Sequence, residues 1–304
     1  MKKILTLLVM VALATCWISC SDDDKDEQDP TIPTMNEITL TIKIGDNKSL
    51  ELLGSEFIDW TEEEYKSLKP YYKIPQDWEV NWGNGNTTNS TNHTYTTGGT
   101  YLVKIKGTGI TSIALESYYD FTLQDIDVTK APNLVILDIA EIDNAEIDKL
   151  DVSKNTTLKY LNCSHSALTS LDINNNTTLE FLNCGGNLLT SLNIDNNTKL
   201  KSLRCYENKI STLNLSQIPT LQYLVCSDNN LTSLDLNKNT ELIYLDCEEN
   251  PFTQESINNL LNSLPMGKYD NGKPISDLWI DDKWDVSIAK EKGWNINPQY
   301  IEHP

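Results

Sequence analysis

Histidine is scarce in this chain of 304 residues, with only His93, His165 and His303, and no nucleophile recurs beside any of them. Covalent hydrolysis by a nucleophile and base pair therefore has no foothold. Cys163 and His165 stand two residues apart, but they share one strand and turn with Cys163 facing inward, which argues against a metal ligand pair or a reactive thiol. Basic residues are in deficit, 24 against 44 acidic for a net charge of −20, and they form no cluster. Nucleic acid and anionic membranes are thereby excluded as partners. No Asp-x-Asp-x-Asp-Gly calcium loop occurs, and neither a cofactor nor a metal ion is implied. The acids are spread along the chain and read as the solubility of an elongated surface. So many carboxylates permit chance pairs, which keeps a glycoside hydrolase as the least favoured class; the chain is read as not an enzyme.

The chain also lacks an apolar run long enough to span a bilayer, since its longest extends from Ile4 to Ala14 behind Lys2 and Lys3. Residues 1–19 read as a lipoprotein signal peptide with Cys20 as the lipid acceptor and Cys16 as the alternative. Ser19 is the smaller residue before Cys20, whereas Leu13 is the better apolar residue three before Cys16. Residues 20–34 form an acidic flexible tether. The run Asp22-Asp23-Asp24-Lys25-Asp26-Glu27 resembles the surface-export signal of Bacteroidetes-type lipoproteins. That resemblance implies a chain lipid-anchored in the outer membrane and facing the cell exterior, touching membrane only through its anchor.

What the chain has in abundance is repetition. Cys163, Cys184, Cys205, Cys226 and Cys247 recur every 21 residues, each ending a Leu-x-x-Leu-x-Cys frame such as Leu179-Glu-Phe-Leu182-Asn-Cys184. Ile110, Leu134 and Leu158 continue the pattern upstream at 24-residue spacing, so about seven repeats are readable over residues 109–250. A second half follows in each repeat, as in Leu168-Thr-Ser-Leu171-Asp-Ile173, and both halves predict short strands burying alternate residues. Asparagine marks the corners, at 187, 208, 229 and 250 in one column and at 155, 176, 197 and 239 in the other. Ile218 breaks the second column and predicts one irregular turn.

The combination Leu-x-x-Leu-x-Cys-x-x-Asn followed by Leu-Thr-Ser-Leu-Asp resembles the cysteine-ladder leucine-rich repeats of internalin-type bacterial surface proteins. The resemblance implies a curved solenoid used for adhesion or recognition. The ladder cysteines are expected to be free thiols acting as small buried hydrophobes, because stacked neighbours point in parallel and an odd number does not pair completely.

The fold class is thus mainly β, a leucine-rich-repeat solenoid preceded by a small β-sandwich over residues 35–108 and closed by a βα cap over 251–304. Glu37–Ile44 and Thr100–Lys106 alternate as strands. Trp82-Gly-Asn-Gly followed by His93-Thr-Tyr95 resembles polycystic-kidney-disease-type β-sandwich modules, with Asn84 where that family often has Asp and a polar insertion near Thr61–Tyr72. His93 is expected to be a structural hydrogen-bonding residue, and the sandwich to cover the open solenoid edge. In the cap, Thr253 opens a helix carrying Ile257, Leu260, Leu261 and Leu264, Ile275–Ile280 reads as a strand, and Asp285 caps a helix that Gly293 stops.

With Leu161 and Cys163 inward, residues 160, 162 and 164 point outward, and their equivalents stack into columns. The first column reads Ile136, Tyr160, Phe181, Ser202, Tyr223 and Tyr244, an aromatic stripe expected to be exposed and extended by Trp279. Arg204 and Tyr206 stand in the neighbouring columns. The stripe either binds a ligand or stabilises adjacent strands. The reading is a surface lipoprotein binding a protein ligand through Tyr160, Phe181, Arg204, Tyr206, Tyr223, Tyr244 and Trp279. The alternatives are an extracellular glycan and a role as accessory component of an outer-membrane complex. Asp127, Asp151, Asp172, Asn193, Asn214 and Asp235 form another column, read as solvation and turn bonding.

Overall fold

A computed structural model describes residues 35–52, 66, 68–71, 77–116, 121–140, 146–270 and 272–297. The expected signal peptide, Cys16, Cys20, the tether, most of the 61–72 insertion and His303 lie outside the described residues.

Alternation of apolar and polar residues builds the first strand, β1 (Asn36–Ile44), with Ile38, Leu40, Ile42 and Ile44 buried on one side. Seven strands follow: β2 (Lys48–Leu52), β3 (Glu79–Asn81), β4 (Thr87–Thr88), β5 (Asn92–Tyr95), β6 (Gly99–Gly107), β7 (Ser112–Glu116) and β8 (Phe121–Lys130). One sheet has the order β4-β3-β6-β1-β8. Across its core Trp82 is fully buried, donates from Nε1 to Thr88 Oγ1 at 2.9 Å and stacks on His93 at 5.1 Å. Tyr95 Oη donates to the Trp82 carbonyl at 2.9 Å, and Asn84 Nδ2 lies 2.8 Å from His93 Nε2. His93 is therefore part of a packed aromatic stack, as a structural role requires.

The other sheet does not stop at residue 108. β7 pairs antiparallel with β2 on one side and parallel with β9 (Ile136–Asp138) on the other. From there parallel pairing runs through β10 (Tyr160–Asn162), β11 (Phe181–Asn183), β12 (Ser202–Arg204), β13 (Tyr223–Val225) and β14 (Tyr244–Asp246). The result is one 11-stranded sheet shared by sandwich, solenoid and cap. Likewise β8, chemically the second half of the first repeat, is the edge strand of the first sheet through its antiparallel pairing with β1.

Later second halves depart from the sequence expectation. Leu168, Leu171 and Ile173 are buried in alternation as predicted, yet residues 168–173 form no strand. No continuous ladder joins them: the Leu168 carbonyl accepts from Leu188 N–H of the next coil at 2.8 Å, while the leading N–H goes to an asparagine side chain. Leu168 N–H donates to Asn187 Oδ1 at 2.8 Å, and the same bond recurs from Leu189 to Asn208, Ile210 to Asn229 and Leu231 to Asn250. Each of these asparagines also donates from Nδ2 to a cysteine carbonyl of the preceding coil and to one of its own, Cys163 O and Cys184 O for Asn187. The second column works by donation alone: Asn176 Nδ2 bonds Val152 O and Asn155 O, and its Oδ1 is buried without a partner. Where Ile218 replaces asparagine the turn is regular, contrary to expectation. Ile218 N–H donates to Leu215 O at 3.1 Å and Ile218 O accepts from Leu221, as at Asn197 and Asn239. Burying an isoleucine there offsets the two lost side-chain bonds and leaves no orphaned oxygen.

The five ladder cysteines are buried, at most 1% exposed, and free. Burial pushes the Cys163 and Cys205 thiols up to about 12 and the other three well above the ordinary 9.0.

The cap follows the sequence reading closely. Helix α1 (Gln254–Ser263) starts at a Thr253–Ser256 capping box and buries Ile257, Leu260 and Leu261. A hairpin of β15 (Tyr269–Asp270) and β16 (Lys273–Pro274) leads to β17 (Asp277–Trp279), which joins β14 as an eighth parallel coil strand, counting from β7. Helix α2 (Ser287–Glu291) and β18 (Asn295–Ile296) close the chain's described part. Asp285 is not the cap residue expected: Val286 holds that position, and the Asp285 carboxylate accepts from Ser287 N–H one residue further on.

Candidate recognition face

Strand parity places the outward columns as the sequence predicts, because Leu161, Leu182, Leu203, Leu224 and Leu245 all point into the core. The aromatic column, however, is nowhere fully exposed: Ile136, Tyr160, Phe181 and Ser202 are buried, and Tyr223 and Tyr244 are half-buried. Tyr160 and Phe181 are 5% and 4% exposed, buried with Ile136 and Val135 beneath Leu68 and packed by Tyr71. The insertion between β2 and β3 brings these two residues across the sheet, where Thr111 Oγ1 donates to the Tyr71 carbonyl at 2.7 Å and Lys159 Nζ lies 5.3 Å from the Tyr71 ring. The expectation that Tyr160 and Phe181 face solvent as ligand contacts is corrected accordingly. Nothing in the insertion's periodicity says which surface it lies against.

Beside the covered stretch runs a charge ladder that sequence reasoning missed. Glu180 bridges Lys159 at 3.1 Å and Lys201 at 3.2 Å, with Lys201 Nζ 5.9 Å from the Phe181 ring. Burial alone would raise the Glu180 carboxyl, but its two ammonium neighbours outweigh burial and hold it below the ordinary value. The signal was legible as alternating charge at 159, 180 and 201, one position before the aromatic column.

Tyr223 and Tyr244 are half-buried neighbours with ring centroids 6.3 Å apart. Trp279 is also half-buried and faces outward, but not where expected. Asp277 pairs with Tyr244, and Trp279 pairs with Asp246 one column over. Parity was right and register was off by two, because the hairpin before β17 sets the alignment by seating Asp277 N–H on the Ile243 carbonyl at 2.8 Å.

Arg204, the chain's sole arginine, sits on β12 in the same column as Val225, Asp246 and Trp279. Tyr206 continues outward from that coil and approaches His165, with Oη 3.4 Å from Nε2. Gly185 and Gly186 lie between the two rings. A Cβ at Gly185 would strike the Tyr206 ring, and one at Gly186, whose φ is +62°, would strike His165. His165 thus faces solvent and Tyr206 while the Cys163 thiol lies in the core, so the two do not meet.

Toward the cap the face turns acidic. Ser227 Oγ donates to Asp246 Oδ2 at 3.0 Å, and Glu249 N–H to Asp281 Oδ1 at 3.1 Å. Burial pushes the Asp246 carboxyl up; burial, then the charges of Asp246 and Asp281, push Glu248 up. Asp281 is held below its ordinary value because the Glu249 N–H and Lys283, 3.0 Å away, outweigh its burial. Among the described residues no group of three or more His, Cys, Asp or Glu side chains is placed to hold a metal ion. The column from Asp127 to Asp235 serves its turns, each side chain accepting the N–H two residues on, as Asp151 does from Ser153 at 2.9 Å.

No family model matches the chain, and no curated protein matches it. Among solved structures it is similar to the functional domain of InlJ from Listeria monocytogenes, described as including a cysteine ladder, at 29% identity and a TM-score of 0.42. That match covers 60% of this chain and 42% of the other. An internalin (inlF) from Listeria monocytogenes gives 22% identity and 0.41, over 56% and 50% of the two chains. The LRR protein LIC12759 of Leptospira interrogans gives 20% and 0.37, over 56% and 52%.

Proposed function

We propose that this chain is a recognition protein, lipid-anchored through Cys20 at the cell surface, that binds a protein ligand on the outward face of β12, β13, β14 and β17. The carrying observation is the contrast within one column of side chains. Ile136, Tyr160 and Phe181 are sealed by the chain's own Leu68 and Tyr71, whereas Tyr223 and Tyr244 are left half-buried beside Trp279, Tyr206 and Arg204. Rigid rings offer contact area at low entropic cost, and aromatic residues with arginine supply most binding hot spots. The covered end supports this reading, because Leu68 and Tyr71, on a short helical segment, seat apolar side chains against the rings of Tyr160 and Phe181.

Replacing both Tyr223 and Tyr244 by alanine should weaken capture of a surface or matrix protein ligand by about 30-fold or more, the loss typical of two hot-spot rings. The melting temperature should fall by only a few degrees, since half-exposed cross-strand pairs contribute about 0.2–1 kcal/mol. Undiminished capture by a folded double variant would refute the binding role, as would a variant that merely fails to fold while Trp279→Ala binds normally. The anchor is checked separately: palmitate labelling should vanish in Cys20→Ala, and label persisting there would move the attachment to Cys16.

A further inference from the structure

We propose that His93 makes the amino-terminal module acid-sensitive: as a neutral ring it holds the turn from Trp82 to Asn86 through Asn84, and a second ring proton releases that turn. The device belongs to the module's own strands and does not rest on the recognition reading.

The turn joins β3 to β4 and contains two left-handed glycines, Gly83 at φ +79° and Gly85 at φ +90°. Three hydrogen bonds close it: Trp82 N–H to the Asn86 carbonyl at 3.0 Å, Gly83 N–H to Asn81 Oδ1 at 2.9 Å, and Asn86 N–H to Asn84 Oδ1 at 3.2 Å. The last of these fixes which way the Asn84 amide points. Its oxygen is engaged with a backbone donor, so the group 2.8 Å from His93 Nε2 is the NH₂ end, which only donates. Nε2 must therefore accept, and the one proton of the neutral ring sits on Nδ1.

A proton added at Nε2 turns this contact into donor against donor. Flipping the amide does not mend it, since the NH₂ group would then meet the Asn86 N–H. The ring has little freedom to turn away: it stacks on Trp82 at 5.1 Å and 18° and stands edge-on to Tyr95 at 4.8 Å and 87°. The turn itself touches the ring with only Trp82 and Asn84, both uncharged. The titratable and charged groups around it are Tyr95 on its own strand, Tyr101 against Tyr95 from β6, and Lys48 and Glu51 on β2. Lys48 pairs with Tyr95 and Glu51 with Asn92, whereas His93 pairs with apolar Leu50. Among the described residues no carboxylate bonds to the imidazole, and burial holds it below its ordinary 6.5. As pH falls the unfolded chain takes up this proton first. The stability that the ring contributes is thus complete above 6.5 and is lost as pH drops toward the folded value. β5, which carries His93, is the end strand of the 11-stranded sheet, so acid loosens the sheet at that end first.

Nitrogen NMR of the histidine rings in the full-length protein, followed from about pH 8 to about pH 4, is the test, with His93 assigned by its loss in His93→Gln. At neutral pH Nε2 should give the signal of an unprotonated nitrogen and Nδ1 that of a protonated one, and the midpoint should lie below 6.5. Through that midpoint, amide exchange of residues 83–86, corrected for its intrinsic pH dependence, should quicken about fivefold, the effect of one lost hydrogen bond. The coils from β10 to β14 should stay protected. Asn84→Asp keeps an acceptor for Asn86 N–H and offers a carboxylate to the imidazolium, so it should carry the midpoint above 6.5 and abolish the quickening. The parent spectra decide the tautomer and the midpoint even where a variant folds poorly. A parent midpoint at or above 6.5, as attraction of a cation to the Trp82 face alone would give, would overturn the inference. So would a proton resting on Nε2 at neutral pH, exchange at 83–86 that ignores the midpoint, or a midpoint that Asn84→Asp leaves in place.

Discussion

Above pH 9 the protein should lose stability steeply and unfold in base well before its backbone is damaged. An ordinary cysteine thiol ionises near 9.0, and the thiols of the unfolded chain do so, while the folded coils keep Cys163 and Cys205 protonated to about 12 and the other three well above 9. Between those values the unfolded chain has released protons that the folded chain retains. The stability contributed is therefore complete below pH 9 and is lost as pH rises. Each thiol removes about 1.4 kcal/mol per pH unit between its unfolded and folded values, so Cys163 and Cys205 alone remove about 4 kcal/mol by about pH 10.5, and the other three act in the same direction. Tyr95, whose phenol is also pushed up by burial, adds to the slope. Urea midpoints measured from pH 8 to 11 should fall accordingly, and Cys205→Ala should shallow the fall by about a fifth of the thiol part. Iodoacetamide should reach the ladder only where the coils open. A flat midpoint across that range, or alkylation of the ladder in the native protein at pH 8, would contradict the buried neutral column.

Asn187→Ala should be among the most damaging single substitutions, costing about 4 kcal/mol. Its side chain accepts from Leu168 N–H and donates to Cys163 O, Cys184 O and Gly185 O, so truncation strands a buried donor and weakens three buried carbonyl contacts at once. Aspartate is worse at neutral pH, because a carboxylate oxygen would then face carbonyl oxygens where an N–H₂ stood. The second column should be more forgiving, since its asparagines only donate and Ile218 shows an apolar residue in the same turn. Chemical denaturation of Asn187→Ala beside Asn176→Ile gives the comparison. Equal losses would mean that the two columns do the same work, against the bonding described.

The periodic parts of this fold were legible because a stacked coil repeats its environment, and each environment admits few residue types. Leu182 must fill the core, Cys184 must be small and apolar, and Asn187 must bond two coils, so their spacing carries the strand, the ladder and the corner. The aperiodic contacts were not legible. Leu68 and Tyr71 have no partner pattern in the sequence, since their partners at Tyr160 and Phe181 lie far along the chain, and the covered half of the stripe was read as open for that reason. Trp279 failed differently: its inward and outward parity is local and was read correctly, while its column depends on the length and path of the preceding hairpin. The second halves failed because alternating burial does not by itself require strand pairing, and an asparagine side chain takes the leading N–H at Leu168, Leu189, Ile210 and Leu231.

The uninterrupted pairing from β5 to β18 has a mechanical consequence. Force on the solenoid face passes through continuously paired strands into the amino-terminal module, where the described residues open with β1. That strand is clamped along its length by β6 and β8 on its two flanks. Pulling β1 out by its amino-terminal end would therefore have to tear two ladders together.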